Sequence, residues 1–135
     1  MRVGIVGSRR AGKEKYSFIK KKIDEVLEKF GVEDVVIVSG GARGIDKMAE
    51  RYAREKGYKL EVFYPNYDLY GRKAPLIRNE KIAERCDLLI AFPDDKSRGT
   101  WHCVRKATEF GKVVVVIKKW WCNEKAEYGS CQMVR

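Results

Sequence analysis

The chain is expected to fold as an α/β protein: a Rossmann-like three-layer fold of about five mostly parallel strands with helices on both faces. Two observations carry this expectation. Short apolar runs alternate with longer segments of helical periodicity, and that alternation yields parallel strands joined by right-handed crossovers. The runs are also unbroken and rich in β-branched residues, Val35–Val38 most clearly, as in strands buried on both faces.

Arg2–Val6 reads as the first strand, ending at Gly7. Over residues 14–30, Ile19, Ile23, Val26, Leu27 and Phe30 recur at helical spacing, and Gly31 follows as a stop. Val35–Val38 is the second strand. Ile45, Met48, Ala49, Tyr52 and Ala53 then mark a helix that ends at Gly57. Leu60–Tyr64 makes the third strand, followed by an irregular stretch from Pro65 to Ala74. Pro75 suits the first turn of a third helix, whose inner face carries Asn79, Ile82, Ala83 and Cys86. Asp87–Phe92 is the fourth strand, Thr100–Phe110 the fourth helix with Thr100 as its N-cap, and Val113–Ile117 the fifth strand. No clear period follows, although Trp120 and Trp121 lie there.

A chain of 135 residues supports one hydrophobic core. Residues 1–117 are expected to form the domain, and 118–135 a tail packed on it or on a partner subunit. No apolar run nears the roughly 20 residues that cross a bilayer, and Val3–Val6 is too short for a signal peptide, so a cytoplasmic protein without membrane contact is expected. The formal net charge of +10 admits a nucleic-acid partner, although many lysines alternate with glutamates on outer helix faces. Cys86, Cys103, Cys122 and Cys131 form no C-x-x-C pair, which argues against a structural zinc. Cys86 and Cys103 read as buried thiols, whereas Cys122 and Cys131 could pair in the tail. The single histidine, His102, has no carboxylate partner at helical spacing.

The glycines locate the function. Gly31, Gly57 and Gly111 end helices, but seven of the 12 glycines (Gly7, Gly12, Gly40, Gly41, Gly44, Gly71 and Gly99) fall between a strand and the following helix. That is the edge at which open α/β sheets bind ligands, and phosphates favour the helix N-termini there. Gly7-Ser8-Arg9-Arg10-Ala11-Gly12-Lys13 approaches a nucleotide-triphosphate loop, but Glu14 stands where Ser or Thr would hold magnesium, which argues against an ATPase or GTPase. The loop instead offers Gly7 for close approach, the Ser8 hydroxyl and the Arg9 fork. Ser39-Gly40-Gly41-Ala42-Arg43-Gly44-Ile45-Asp46 is the most specific segment. Its Asp46 serves a sugar or base, or supports the loop itself. Arg78-Asn79 and Gly99-Thr100 complete the candidate binding set.

Taken in order, these segments resemble the SLOG superfamily, and its small members related to YspA and YpsA most of all. The resemblance spans about residues 1–117. It implies a nucleotide-type pocket built by the strand-end loops, often in a dimer. The superfamily's LOG phosphoribohydrolases carry a Pro-Gly-Gly-x-Gly-Thr loop with a catalytic Glu three residues on. Here Pro93-Asp94-Asp95-Lys96-Ser97-Arg98-Gly99-Thr100 stands in that place, and Cys103 occupies the Glu position. Arg78 matches the family's arginine. The DNA-processing relatives share Gly40–Asp46 and Arg78-Asn79, and hold single-stranded DNA on a basic surface.

Three functions stay open from the sequence. The first is a homodimeric module for a nucleotide-like small molecule, with no cofactor and no metal. Gly7, Gly40, Gly41, Gly44 and Gly99 would admit the ligand to the backbone; Ser8, Arg9, Arg43, Arg78 and Thr100 would contact phosphate; Asp46 or Asn79 would orient sugar or base. The second is a nucleoside monophosphate hydrolase of unassigned catalytic residues, in which Asp94, Asp95 or Asp46 supplies the missing carboxylate. The third is a binder of single-stranded nucleic acid, with Tyr64, Tyr67 and Tyr70 stacking on bases.

Overall fold

The computed structural model describes residues 1–118, Trp120 and the backbone of a last strand at 131–134. The first five strands are β1 (Arg2–Gly7), β2 (Val36–Ser39), β3 (Lys59–Val62), β4 (Leu88–Phe92) and β5 (Val113–Ile117), all parallel. They lie in the order β3-β2-β1-β4-β5, and β6 (Cys131–Val134) adds an antiparallel strand outside β5. The aperiodic tail gave no signal for β6. The Trp121 and Cys122 readings, and the thiol of Cys131, lie outside the described residues.

The helices are α1 (Tyr16–Lys29), α2 (Ile45–Lys56), the short α3 (Tyr67–Tyr70), α4 (Ala74–Arg85) and α5 (Arg98–Glu109). Strand alternation divides the core in two. Ile5, Ile37, Leu88, Ile90 and Ile117 point into the layer with Ile19, Ile23, Ile45, Ala49 and Tyr52 of α1 and α2. Val6, Val38, Leu89, Ala91, Val114 and Val116 face Ile82, Ala83, Cys86, Cys103 and Ala107 of α4 and α5. This is the expected three-layer arrangement.

Local departures have physical reasons. α1 starts at Tyr16 because a 3-10 turn at Lys13–Lys15 precedes it. The stretch after Pro65 contains α3 and a 3-10 turn at Gly71–Lys73, four- and three-residue elements too short to show a period. α5 starts at Arg98, so Ser97 and not Thr100 is its N-cap residue.

Tertiary pairs that no local spacing reveals bind the layers. His102 Nε2 lies 2.8 Å from Glu80 Oε2 across the α4–α5 contact, so the histidine does have a carboxylate partner, 22 residues away in sequence. Buried Tyr52 donates its hydroxyl to Asp24 at 2.6 Å, joining α2 to α1. Trp120, also buried, donates Nε1–H to the Pro93 carbonyl at 2.9 Å and anchors the end of the described domain to the loop after β4.

Candidate functional site

Strand order reverses between β1 and β4, so the loops leaving these strands diverge to opposite faces and open a crevice at their carboxyl ends. The backbone turns first. After β1, Ser8 N–H donates to the Phe92 carbonyl at 3.0 Å, and Ile45 N–H at the start of α2 donates to the Ser8 carbonyl at 3.0 Å. The β1 loop therefore touches both the end of β4 and the α2 N-terminus. Gly44 makes this possible. Its φ is +74°, and a Cβ there would lie 2.8 Å from the Arg9 carbonyl carbon and collide with the Ser8 oxygen.

Side chains then lock the two loops together. Ser8 donates its hydroxyl to Asp94 and accepts Arg10 N–H at 3.0 Å. Arg10 grips Asp94 with two nitrogens, Nη2 at 2.6 Å and Nε at 3.1 Å, in the fork geometry favoured by guanidinium and carboxylate. Asp94 also accepts from Lys96 N–H at 2.8 Å and the Ser97 hydroxyl at 2.9 Å. Burial raises the Asp94 pKa, but the bonds from Arg10, Ser8, Lys96 and Ser97 outweigh it and hold the carboxyl far below the usual range.

A second polar cluster joins α2 and α4. Arg78 is buried; it donates to the Gly40 carbonyl and, through Nε, to Asn79 Oδ1 at 2.8 Å. Asn79 Nδ2 donates to the Gly99 carbonyl at 3.0 Å, tying α4 to the first turn of α5. Asp46 accepts Ala42 N–H at 3.1 Å, so it does support its own loop. Gly40 lies between the two charges: a Cβ there would be 2.8 Å from both Arg78 Nη1 and Asp46 Oδ2. Burial pushes the Asp46 carboxyl up to about 6, against the lowering influence of Ala42 N–H, Arg78 and Arg9.

Above these clusters opens a cavity of about 460 Å³. Gly7, Arg9, Arg43, Asp46, Arg78, Asn79, Gly99 and Thr100 lie on its wall. Gly40 and Gly41 line an adjoining hollow of about 270 Å³, together with Arg9, Arg43 and Arg78. Ser8 and Gly44, the remaining members of the candidate set, lie on neither wall; they hold the floor. Gly12 and Lys13 are also absent from both walls.

Sequence reasoning passed over Arg10, Lys96 and Arg98, which all reach the larger cavity. Their signal was available, since each strand-end loop carries cations beside its glycines. Six cationic side chains line the wall against two carboxylates, Asp46 and Asp94. Arg10 is held by Asp94, and Arg78 by its neighbours. The side chains of Arg9, Arg43, Lys96 and Arg98 form no hydrogen bond or ion pair among the described residues. The first turn of α5 faces the same space through Gly99 and Thr100, with no side-chain cap on its N–H groups. The cavity wall is therefore electropositive.

The position of the hydrolases' catalytic glutamate sends no side chain to this wall. Cys103 is fully buried, bonds the Asn79 carbonyl at 3.4 Å, and is absent from the cavity wall; burial drives its thiol well above the ordinary range. Among the described residues, no group of three or more Cys, His, Asp or Glu gathers as metal ligands would. No described helix is long and apolar enough to cross a membrane.

Comparison with known proteins gives four findings. Residues 1–70 match the model of the YspA, cpYpsA-related SLOG family. The Gene 61 protein of Mycobacterium phage D29 is 38% identical over 87 residues, which cover 60% of this chain and 70% of that protein. The fold resembles DNA processing protein A of Streptococcus pneumoniae, with a TM-score of 0.68 and 24% identity over 85% of this chain. It also resembles the Helicobacter pylori protein of that name, reported for its single-stranded DNA binding mode, with a TM-score of 0.64, 24% identity and 86% coverage. The chain spans only 49% of the pneumococcal protein and 64% of the Helicobacter one. With more than half of its length matched by the family model, the chain belongs to the YspA, cpYpsA-related SLOG family.

Proposed function

We propose that this SLOG-family chain is a binding module for a nucleotide or nucleotide-derived phosphorylated ligand, held at the carboxyl edge of the sheet. One observation carries the reading: Arg9, Arg43, Lys96 and Arg98, unpaired among the described residues, surround a cavity of about 460 Å³ at the strand-order reversal. Surface arginines with no function would be free to point apart. Here four cations share a concave wall with an uncapped helix N-terminus, a combination suited to phosphate. The module is expected to work as a homodimer in the cytoplasm.

The test is thermal denaturation with a panel of nucleoside mono-, di- and triphosphates. A ligand at 100 times its Kd stabilises by about 2.7 kcal/mol, which raises the melting temperature by several degrees. Arg43 is exposed and unpaired, so Arg43→Ala should remove the ligand-induced rise while leaving the unliganded melting point unchanged. A full panel without any rise overturns the reading. Turnover is a separate matter: Asp46 is the wall carboxylate not committed to Arg10, and release of free base from monophosphates by wild type but not by Asp46→Asn would make the module an enzyme.

A second reading has its own observation. Tyr64 and Tyr67 are 65% and 58% exposed, and Tyr67 lies on the wall of the smaller hollow beside Arg43. Aromatic faces next to cations suit unstacked bases of a single strand. Oligonucleotide affinity that falls steeply with salt would support it; salt-independent or undetectable binding would exclude it.

A further inference from the structure

We infer that the ligand is a diphosphate-bridged nucleotide with an organic group at each end, its diphosphate seated on Arg9, Arg43 and Arg78. This rests on the nucleotide reading above and specifies what that site takes. The observation is a shared boundary. Arg9, Ala42, Arg43 and Arg78 line both the 460 Å³ cavity and the 270 Å³ hollow. Three arginines therefore border both concavities.

The two hollows differ in character. Beyond the shared residues, the smaller is walled by Gly40, Gly41, Pro65 and Tyr67 and has no charge of its own. It suits a flat, uncharged ring laid against tyrosine. The larger brings Pro75 and Leu76 on one side, with Asp46 and Asn79 among its polar groups. A buried carboxylate repels phosphate but accepts hydroxyl groups, so this hollow suits a sugar or a second nucleoside. Lys96 and Arg98 are exposed on the same wall.

Ligand shape follows from where the charge is. A nucleoside monophosphate has its phosphate at one end; placed on the arginines, it fills one hollow and leaves the other to water. Bound small molecules normally bury most of their surface in concave sites of about 300–1,000 Å³. A bridged diphosphate carries its charge in the middle and an organic group on either side, matching a cationic border shared by two hollows. Two phosphates also satisfy the two unpaired forks, Arg9 and Arg43, with bidentate geometry.

Calorimetric titration tests this with two matched series: AMP, ADP, ATP and diadenosine diphosphate, and UMP, UDP, UTP and UDP-glucose. In at least one series the bridged compound should bind about tenfold more tightly than the diphosphate, and the diphosphate about tenfold more tightly than the monophosphate. Tyr67→Ala, at an exposed position, should weaken the diphosphate and the bridged compound alike by about fivefold, as expected for one lost stacking contact. Leu76→Ala, at another exposed position, should weaken the bridged compound alone. A monophosphate as tight as the diphosphate, a triphosphate tighter than the bridged compound, or a bridged compound no better than the diphosphate overturns the inference and leaves the nucleotide site standing. No binding in either series overturns both.

Discussion

Replacing Asp46 by Asn should stabilise the free protein at neutral pH, although it alters a buried group in the centre of the site. Burial holds the folded carboxyl at about 6, against 3.8 for an unperturbed one. Between these values the unfolded chain has released the proton and the folded chain has not, so stability falls as pH rises through that window. Above pH 6 both states are ionised and the full penalty is present; at about 1.4 kcal/mol per pH unit it reaches about 3 kcal/mol. Asparagine mimics the protonated form at every pH and keeps an oxygen for Ala42 N–H. Urea unfolding of wild type and Asp46→Asn, followed from pH 4 to pH 8, should show equal stabilities at the acid end. The variant's advantage should grow to about 3 kcal/mol above pH 6. An advantage that is independent of pH, or a variant less stable at pH 7.5, would refute the reasoning. The expected outcome shows that the buried Asp46 carboxylate lowers the stability of the free protein at neutral pH.

Three further predictions concern the frame of the site. Ser8→Ala removes a donor to Asp94 and the acceptor of Arg10 N–H, and should cost about 1–3 kcal/mol in urea unfolding. Gly44→Ala forces a side chain into φ +74° and onto the Ser8 carbonyl; circular dichroism melts should show a loss of at least about 3 kcal/mol or no folded protein. Peptide mapping after native alkylation at pH 8 should find Cys86 and Cys103 unmodified, since both are fully buried, with burial pushing Cys86 up to about 11 and Cys103 higher still. Modification of Cys103 at the rate seen in denaturant would contradict its placement.

Much of this molecule was legible before its structure. Runs such as Val35–Val38 and Val113–Ile117 announced buried parallel strands, and the glycine bias marked the edge where the cavity opens. What stayed hidden was non-local or short. Arg10 and Asp94 are 84 residues apart, as sequence spacing never hints, yet they clamp the two loops. His102 and Glu80 meet only because α4 and α5 pack together. α3 is one turn long, below any detectable period, and Ser97 competes with Thr100 as a cap on equal chemical terms. Ser8 illustrates the general limit: its type and position predicted importance, but only the fold distinguishes a hydroxyl that faces a ligand from one that supports the loop beneath it.

The two margins of the sheet have different fates. β6 covers the outer side of β5, whereas β3 pairs only with β2 and leaves its other side without a strand partner among the described residues. An unpaired strand can recruit another chain into a growing fibril. β3 is only four residues long and carries Lys59 and Glu61, so an incoming strand would find few backbone bonds and would have to desolvate both charges. Resistance to polymerisation is thereby written into the same short element that leads to Tyr64.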